Sequence, residues 1–227
     1  MKAFPALSWS NHQLGSSSRM QGNGFLAIWS DVSAAQETDY LHWLTREHTQ
    51  ERLGVQGFLA VRVFKAQLDG VHRFLIVYEL EDATALAGQP YLDRLNAPTP
   101  WSQRIMPILQ NFARGGGRRV ASAGHGRGGV VAALRFAADE LPAAGVVERL
   151  VGHDRIAAAH LLETDRARTG IKTSEKGLRA NDGAFDGLLL IEGLDQAAVR
   201  AALGAVPWPA ADAPPLYTMV FALAASR

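Results

Sequence analysis

The sequence predicts an α+β protein made of two copies of one β-α-β-β-α-β unit, and two observations predict it. The first is an internal repeat, because residues 69–82 return as residues 182–195 with Glu79 and Glu192 at equivalent positions. The second is the order of the hydrophobic patterns, which is the same in both halves. A sheet with helices on one face leaves its other face bare, so we expect the two copies to pack sheet to sheet.

Length and composition limit the classes of protein to which the chain belongs. Its 227 residues suffice for two domains of about 100 residues each. The 23 basic and 22 acidic side chains leave a net charge of +1, which recruits neither nucleic acid nor an anionic membrane. There is no cysteine, and no apolar run approaches the roughly 20 residues that span a bilayer. We therefore expect a cytoplasmic protein without nucleic-acid or membrane partners.

The first half, residues 23–123, begins and ends with a strand. An apolar run at 24–32 is bounded by turn residues, and Ser33 with Gln36 forms a capping-box pattern that begins a helix. That helix ends at Gly54. The remaining predicted elements are a hairpin of strands at 58–67 and 73–80, a helix from near 82 or 84 to 109 that breaks at 96–100, and a strand at 118–122.

The second half, residues 129–227, repeats this order. Its predicted elements are strands at 129–136, 156–163, 187–192 and 216–224, a short helix ending at 150 and a helix at 195–204. The glycine-rich pattern at 124–128 predicts a flexible linker. A phosphate-binding turn is disfavoured, because the flanking strand and helix of a dinucleotide-binding turn are missing. Residues 1–22 have no periodic apolar face and are predicted to be a disordered leader, with Met20 as an alternative start.

Three segments of the first half resemble the EthD-like members of the dimeric α+β barrel superfamily: residues 42–48, HWLTREH, residues 51–58, ERLGVQGF, and residues 91–101, YLDRLNAPTPW. The resemblance covers roughly residues 24–123, and the rest of the chain follows by topology. It implies that each half is a ferredoxin-like repeat and that the chain is a fused, intramolecular form of the barrel. Because both halves lie in one chain, we expect a monomer or a weak homodimer.

The repeat also sorts the polar residues. A residue kept in both halves is expected to serve the fold, whereas one present in a single half is freer to act on a ligand. The first group contains Glu79 with Glu192, and the Glu-Arg pairs at 51–52 and 148–149, which we interpret as ion pairs at element ends. An insertion between 164 and 181 occurs only in the second half, and it is either a lid or a solvated loop.

His48 and Glu47 belong to the second group, since the aligned residues are Gly145 and Ala144. A histidine titrates near neutrality and a nearby carboxylate raises its basicity, which favours proton transfer by this pair. The alternative is that His48 is a hydrogen-bonded helix residue at the barrel mouth. His42, on the same helix, is a weaker candidate of the same kind.

Arg62 and His160 align in the second strand of each half, within otherwise apolar runs. A period of two places Arg62 on the face of Phe64, where a charge needs a partner or a polar cavity. Either both side chains point into the barrel, with Arg62 holding an anion and His160 acting as an acid, a base or a hydrogen-bond donor, or both end at the rim and pair with a loop carboxylate.

Three aromatic residues, Trp29, Tyr78 and Trp101, are candidates for the walls of a ligand cavity or for plain core. The seven histidines are scattered, and none of them shows the spacing of a metal site. The sequence therefore predicts no metal and no cofactor.

The function favoured by these residues is that of a cofactor-free enzyme. It would act by proton transfer, as an isomerase or an oxygenase, on a small anionic or aromatic metabolite in a cavity between the two sheets. The superfamily includes lactone isomerases, cofactor-free oxygenases and haem enzymes, so two other functions stay open. One is a non-catalytic ligand-binding or stress-response barrel, and the other is a haem-binding barrel with His160 or His48 as the axial ligand.

Overall fold

Eight antiparallel strands close into a barrel in the computed structural model, which describes residues 20–179, 182–206 and 214–226. The strands are β1 Gly24–Ser33, β2 Phe58–Leu68, β3 Val71–Leu80, β4 Gln110–Gly124, β5 Val130–Phe136, β6 Ile156–Thr164, β7 Gly187–Gly193 and β8 Leu216–Ala224. They lie around the barrel in the order β1-β3-β2-β8-β5-β7-β6-β4. The predicted α+β class is confirmed as a mixed fold with an antiparallel barrel.

The strand order defines how the two halves of the chain meet. The first half contributes β4-β1-β3-β2 and the second half contributes β8-β5-β7-β6. One seam pairs β2 with β8, and the other pairs β4 with β6. The two sheets therefore do more than stack on each other, because backbone hydrogen bonds continue around the whole barrel.

The helices of the described residues pack outside the barrel wall. They are α1 Glu37–Trp43, α2 Thr49–Leu53, α3 Gln89–Asn96, α4 Pro100–Ile105, α5 Val146–Val151, α6 Arg166–Thr169 and α7 Gln196–Leu203. One π-helical turn, Leu44–His48, joins α1 to α2, so the first predicted helix is continuous. The predicted capping box is wrong: Ser33 Oγ donates to Gln36 Oε1 at 3.0 Å and caps no backbone amide.

β4 is much longer than the strand predicted at 118–122, because it includes the glycines at 115–117. A Cβ on Gly117 would lie 2.0 Å from the carbonyl oxygen of Glu163 on β6. Glycine is therefore required where the backbones of the two halves approach each other at this seam. A run of glycines is typical of a loop when only the sequence is considered, and this close approach is the reason it forms a strand.

Inward-facing side chains of the strands form one apolar core that both halves share. Its larger members are Phe25, Trp29, Phe64, Leu75, Val77, Phe185, Leu188, Leu190 and Tyr217. The rings of Trp29 and Phe185 meet edge to face with their centroids 5.3 Å apart. Side chains from both halves thus pack into the space between the sheets, where the sequence predicts a ligand cavity.

The barrel interior also holds a cluster of buried charges. Arg62 on β2 donates to both carboxylate oxygens of Glu192 on β7, at 2.7 and 2.8 Å, and its Nε lies 3.4 Å from Glu79 Oε1. His160 Nε2 lies 3.2 Å from Glu192 Oε1, and His160 Nδ1 is 2.6 Å from Ser122 Oγ. Arg62 and His160 therefore point into the barrel, the first of the two alternatives, but they face strand carboxylates.

The carboxylates of this cluster hold the cations inside the protein. Burial alone would raise the pKa of Glu192, but the Arg62 guanidinium and the hydrogen bond with His160 lower it to about 2. Glu79 is fully buried beside Arg62. The interpretation of Glu79 and Glu192 as ion pairs at element ends is confirmed, since they pair with Arg62 near the ends of β3 and β7, and both pairs lie inside the barrel.

The linker at 124–128 is fixed to the same cluster. The backbone amide of Gly128 donates to Glu192 Oε2 at 3.0 Å, and Arg127 Nη2 donates to Glu79 Oε2 at 2.8 Å. This correction to the predicted flexible linker follows from the buried carboxylates, which need every donor within reach.

Part of the predicted leader also belongs to the fold. The backbone amide of Gln21 donates to Glu79 Oε2 at 2.8 Å, and Met20 is buried in the apolar core of the barrel. Residues 20–22 are thus structural, while residues 1–19 of that prediction lie outside the described residues.

We expect Glu192→Gln to lower the free energy of unfolding by about 3 kcal/mol, because it leaves a buried guanidinium without its bidentate partner. Urea denaturation at pH 7 measures this. The matched control is Glu163→Gln, which removes an exposed ion pair with Arg118 and should cost under about 1 kcal/mol. Equal losses in the two variants would contradict a structural role for the buried cluster.

Candidate functional site

A pocket lies between the sheet and the helices of the first half, outside the barrel. Aliphatic side chains line it together with five aromatic ones, which are Tyr40, Trp43, Tyr78, Tyr91 and Phe112. Six further polar side chains complete the wall: Ser30, His48, Arg52, Arg114, Glu175 and Arg179. About 20 Å³ is open to the centre of a water molecule, which is room for roughly one water. A metabolite can enter only if part of this wall moves.

His48 reaches the pocket from the π-helical turn. The backbone amide of Thr49 donates to the carbonyl of Leu44, five residues back, and this wider turn brings the rings of Trp43 and His48 together. Their centroids lie 4.2 Å apart with a tilt of 32°. His48 Nδ1 is buried and has no hydrogen-bond partner among the described residues.

Burial and nearby charges keep the imidazole of His48 neutral. Desolvation lowers the pKa of His48 well below its usual range, and the charges of Arg52 and Arg179 lower it further. A neutral imidazole has one ring nitrogen free to accept a proton. This side chain can therefore act as a base at neutral pH.

Tyr78 supplies a second unpaired polar group in the same pocket. Its hydroxyl is buried and has no hydrogen-bond partner among the described residues. Burial is the main cause that raises the pKa of Tyr78, so the hydroxyl stays protonated and can donate. Buried polar groups are normally satisfied, which makes this orphan a candidate ligand contact.

The pocket carries an excess of positive charge. Arg52 pairs with Glu175, and Arg179 pairs with Asp182 at 2.8 Å. Arg114 donates to the hydroxyl of Tyr91 at 3.2 Å, and within the described ranges no carboxylate lies at ion-pair distance from it. One buried cation therefore lacks a counter-charge, which favours an anionic ligand.

The structure separates the predicted pair of Glu47 and His48. Glu47 Oε1 accepts from Thr99 Oγ1 at 2.6 Å, at the start of α4, whereas His48 lines the pocket. Consecutive helix residues point in different directions, which is the reason for this correction. His42 is half-buried on α1 and does not line the pocket.

The three aromatic residues that were candidates for a cavity wall lie in different places. Tyr78 lines the pocket, but Trp29 belongs to the barrel core. Trp101 donates to Asp39 at 3.1 Å where α1 meets α4, and it does not line the pocket. Of the eight predicted site residues, the pocket brings together His48 and Tyr78.

Sequence reasoning missed the cations of the pocket. Arg52 was assigned to the fold because Arg149 occupies the same position in the second half, yet Arg52 is buried and Arg149 is exposed. Arg114 lies beside a glycine run, and Glu175 and Arg179 lie in the insertion that was considered as a lid. Within the described part of the chain, no group of three or more metal-ligating side chains is present.

Comparisons with solved structures match the chain over almost its whole length. An anthrone oxidase-like protein is 12% identical with a TM-score of 0.53, covering 92% of this chain and 96% of its own. A candidate monooxygenase from Fusobacterium nucleatum is 12% identical with a TM-score of 0.50, covering 89% and 95%. A likeness at this identity concerns the fold alone, and this chain shares the α+β barrel architecture of both proteins. No family model matches it, and no curated protein sequence does so significantly.

In the ranges that the structure describes, no helix is long and apolar enough to span a bilayer.

We expect Tyr78→Phe to leave the free energy of unfolding unchanged or to raise it by up to about 1 kcal/mol, because the buried hydroxyl has no protein partner to lose. Urea denaturation measures this. The control is Tyr40→Phe, which removes a buried hydrogen bond to Ser30 Oγ at 3.2 Å and should cost about 1 kcal/mol. A loss for Tyr78→Phe as large as that for the control would mean that its hydroxyl serves the fold.

Proposed function

We propose that this protein is a cofactor-free enzyme that removes a proton from a small aromatic metabolite bearing an anionic group. The observation that carries the proposal is the meeting of two buried, unpaired polar groups, His48 Nδ1 and the Tyr78 hydroxyl, with the uncompensated charge of Arg114 in one aromatic pocket. Such a set binds a planar ring, orients an oxygen atom and accepts a proton.

His48 is the proton acceptor in this proposal. The substrate's acidic C–H or O–H bond breaks, its proton passes to the free ring nitrogen, and the electron pair stays on the substrate as an enolate or phenolate. Arg114 and the Tyr78 hydroxyl stabilise the oxygen on which the negative charge develops. An anion beside His48 also raises the basicity of the imidazole, so that substrate binding itself prepares the base.

The fate of the deprotonated substrate separates two versions of this reaction. In an isomerase, the proton returns from His48 to another atom of the substrate. In an oxygenase, the deprotonated substrate reduces O₂. The names of the two structural neighbours, an anthrone oxidase-like protein and a candidate monooxygenase, favour the second version.

A haem-binding function has less support from the site residues. Both ring nitrogens of His160 are engaged, with Ser122 and Glu192, and His160 is buried among strand side chains. His48 is stacked on Trp43 beside a pocket with room for one water. Neither histidine has the open face that a porphyrin needs for axial ligation.

We also infer that the two halves are EthD-like, ferredoxin-like tandem repeats and that the chain is a monomer. The inference is supported by the matching strand orders of the halves and by the two seams, which use the sheet edges within one chain. Light scattering that gave a tight dimer would contradict it.

We expect His48→Gln to lower the rate of proton removal from anthrone-2-carboxylate at least about 100-fold, as is usual when a general base is lost. The measurement is exchange of the ring CH₂ protons in D₂O, followed by NMR. The control is His42→Gln, on the same helix but outside the pocket, which should keep the wild-type rate. A His48→Gln protein of full activity would overturn the proposal.

The pH dependence gives an independent prediction. A base works only when it is unprotonated, and the pKa of His48 in the free protein is well below 6.5. We therefore expect kcat/KM to stay level as pH falls from 8 through about 6.5 and to decline only below that. A midpoint at or above pH 6.5 would contradict the assignment of His48 as the base.

A further inference from the structure

The pocket of the first half is closed by a segment of the second half. The inserted segment, residues 165–179, follows β6 and contributes Glu175 and Arg179 to the pocket wall. Two hydrogen bonds from its backbone amides attach it to α3: Glu175 N donates to Leu95 O at 2.9 Å, and Ser174 N donates to the side-chain Oδ1 of Asn96 at 3.1 Å. The enclosed space holds about one water, so a ligand needs part of the wall to move, and a connecting segment is a common place for such movement.

The inserted segment places a carboxylate inside an anion-binding pocket. Glu175 is 6% exposed and accepts a hydrogen bond from Arg52, which is 3% exposed. The guanidinium of Arg52 lies over the ring of Tyr91, with 5.9 Å between its Cζ and the ring centroid. A carboxylate on a guanidinium beside an aromatic ring is also the arrangement that an aromatic carboxylate would make on binding.

We propose that Glu175 is an internal substitute for the carboxylate of the substrate. This inference rests on the proposed function, and it assigns the substrate class as aromatic carboxylates. The carboxylate of the substrate replaces that of Glu175 on Arg52, and residues 174–179 move away from the pocket mouth as Glu175 returns to solvent.

Exchange of one carboxylate for another leaves Arg52 paired before and after binding. The large penalty of a buried, unpaired guanidinium is therefore never incurred. Glu175 also regains its hydration when it leaves the pocket, which offsets the burial of the substrate's charge. An anionic ligand can therefore replace Glu175 without a large free-energy penalty.

The free energy of binding differs for a neutral ligand of the same shape. It would displace Glu175 and leave Arg52 without a counter-charge, so the closed state would be retained. Selection against neutral molecules thus comes from the group that they leave unpaired, which discriminates more strongly than a missing contact does.

The test compares two probes, anthrone-2-carboxylate and uncharged anthrone, by calorimetric titration of the full chain. Glu175→Gln should bind both probes at least tenfold more tightly than wild type, because neither probe then has to break the ion pair between Glu175 and Arg52, and it should keep the preference for the carboxylate. Glu163→Gln, an exposed glutamate just before the inserted segment, should match wild type with both probes. Arg52→Gln should lose the preference for the carboxylate.

An unchanged affinity of Glu175→Gln for the two probes would overturn the inference, because glutamine has nearly the shape of glutamate and removes only the ion pair. A preference for the carboxylate that persists in Arg52→Gln would also overturn it. A separate measurement on wild-type protein guards against a variant that fails to fold. Amide hydrogen exchange at Ser174 and Glu175 should accelerate when anthrone-2-carboxylate is added, and unaltered exchange at saturation would overturn the inference.

The outcomes also distinguish this inference from the proposed function. If Glu175→Gln gains affinity for both probes but His48→Gln exchanges probe protons at the wild-type rate, the gating inference stands and the catalytic proposal fails. If His48→Gln loses proton exchange while Glu175→Gln binds both probes as wild type does, the catalytic proposal stands and this inference fails.

Discussion

The ion pair between Arg62 and Glu192 is the interaction on which the rest of the structure depends. It joins a strand of the first half to a strand of the second half across the barrel interior, and both side chains are fully buried. Glu79 contacts Arg62, and His160 contacts Glu192. Backbone amides of the linker and of residues 20–22 donate further hydrogen bonds to the two carboxylates. Apolar side chains and paired charges occupy this interior, whereas the aromatic pocket lies in the layer between sheet and helices.

The two halves differ in the layer between the sheet and the helices. In the second half, the space between helices and sheet is filled by aliphatic side chains such as Leu150, Leu161 and Val199. In the first half, the equivalent layer contains the π-helical turn, the aromatic wall and the buried cations of the pocket. The second half contributes to that pocket through the inserted segment, whose Glu175 pairs with Arg52. The first half thus supplies most of the pocket, and the second half supplies its cover.

The fold could be predicted from the sequence more completely than the site. Hydrophobic periodicity and turn residues located every strand of the barrel, and only β4 was substantially shortened, since a glycine run hides a close backbone approach. His48 is identified from its residue type and from the difference between the halves, and Tyr78 from its residue type alone. The same comparison assigns Arg52 to the fold alone, although equivalent positions need not have equivalent surroundings: Arg52 is buried against Glu175 of the inserted segment, whereas Arg149 is exposed.

A crystal structure of the protein with bound anthrone-2-carboxylate tests the central claim most directly. The account predicts that the ring lies among Tyr78, Tyr91 and Trp43, with its carboxylate on Arg52 and with Glu175 moved to solvent, while the Arg62–Glu192 pair is unchanged. A ligand seated between the sheets beside Arg62 and His160 would contradict the account, because the buried charges would then be the binding site rather than the support of the barrel.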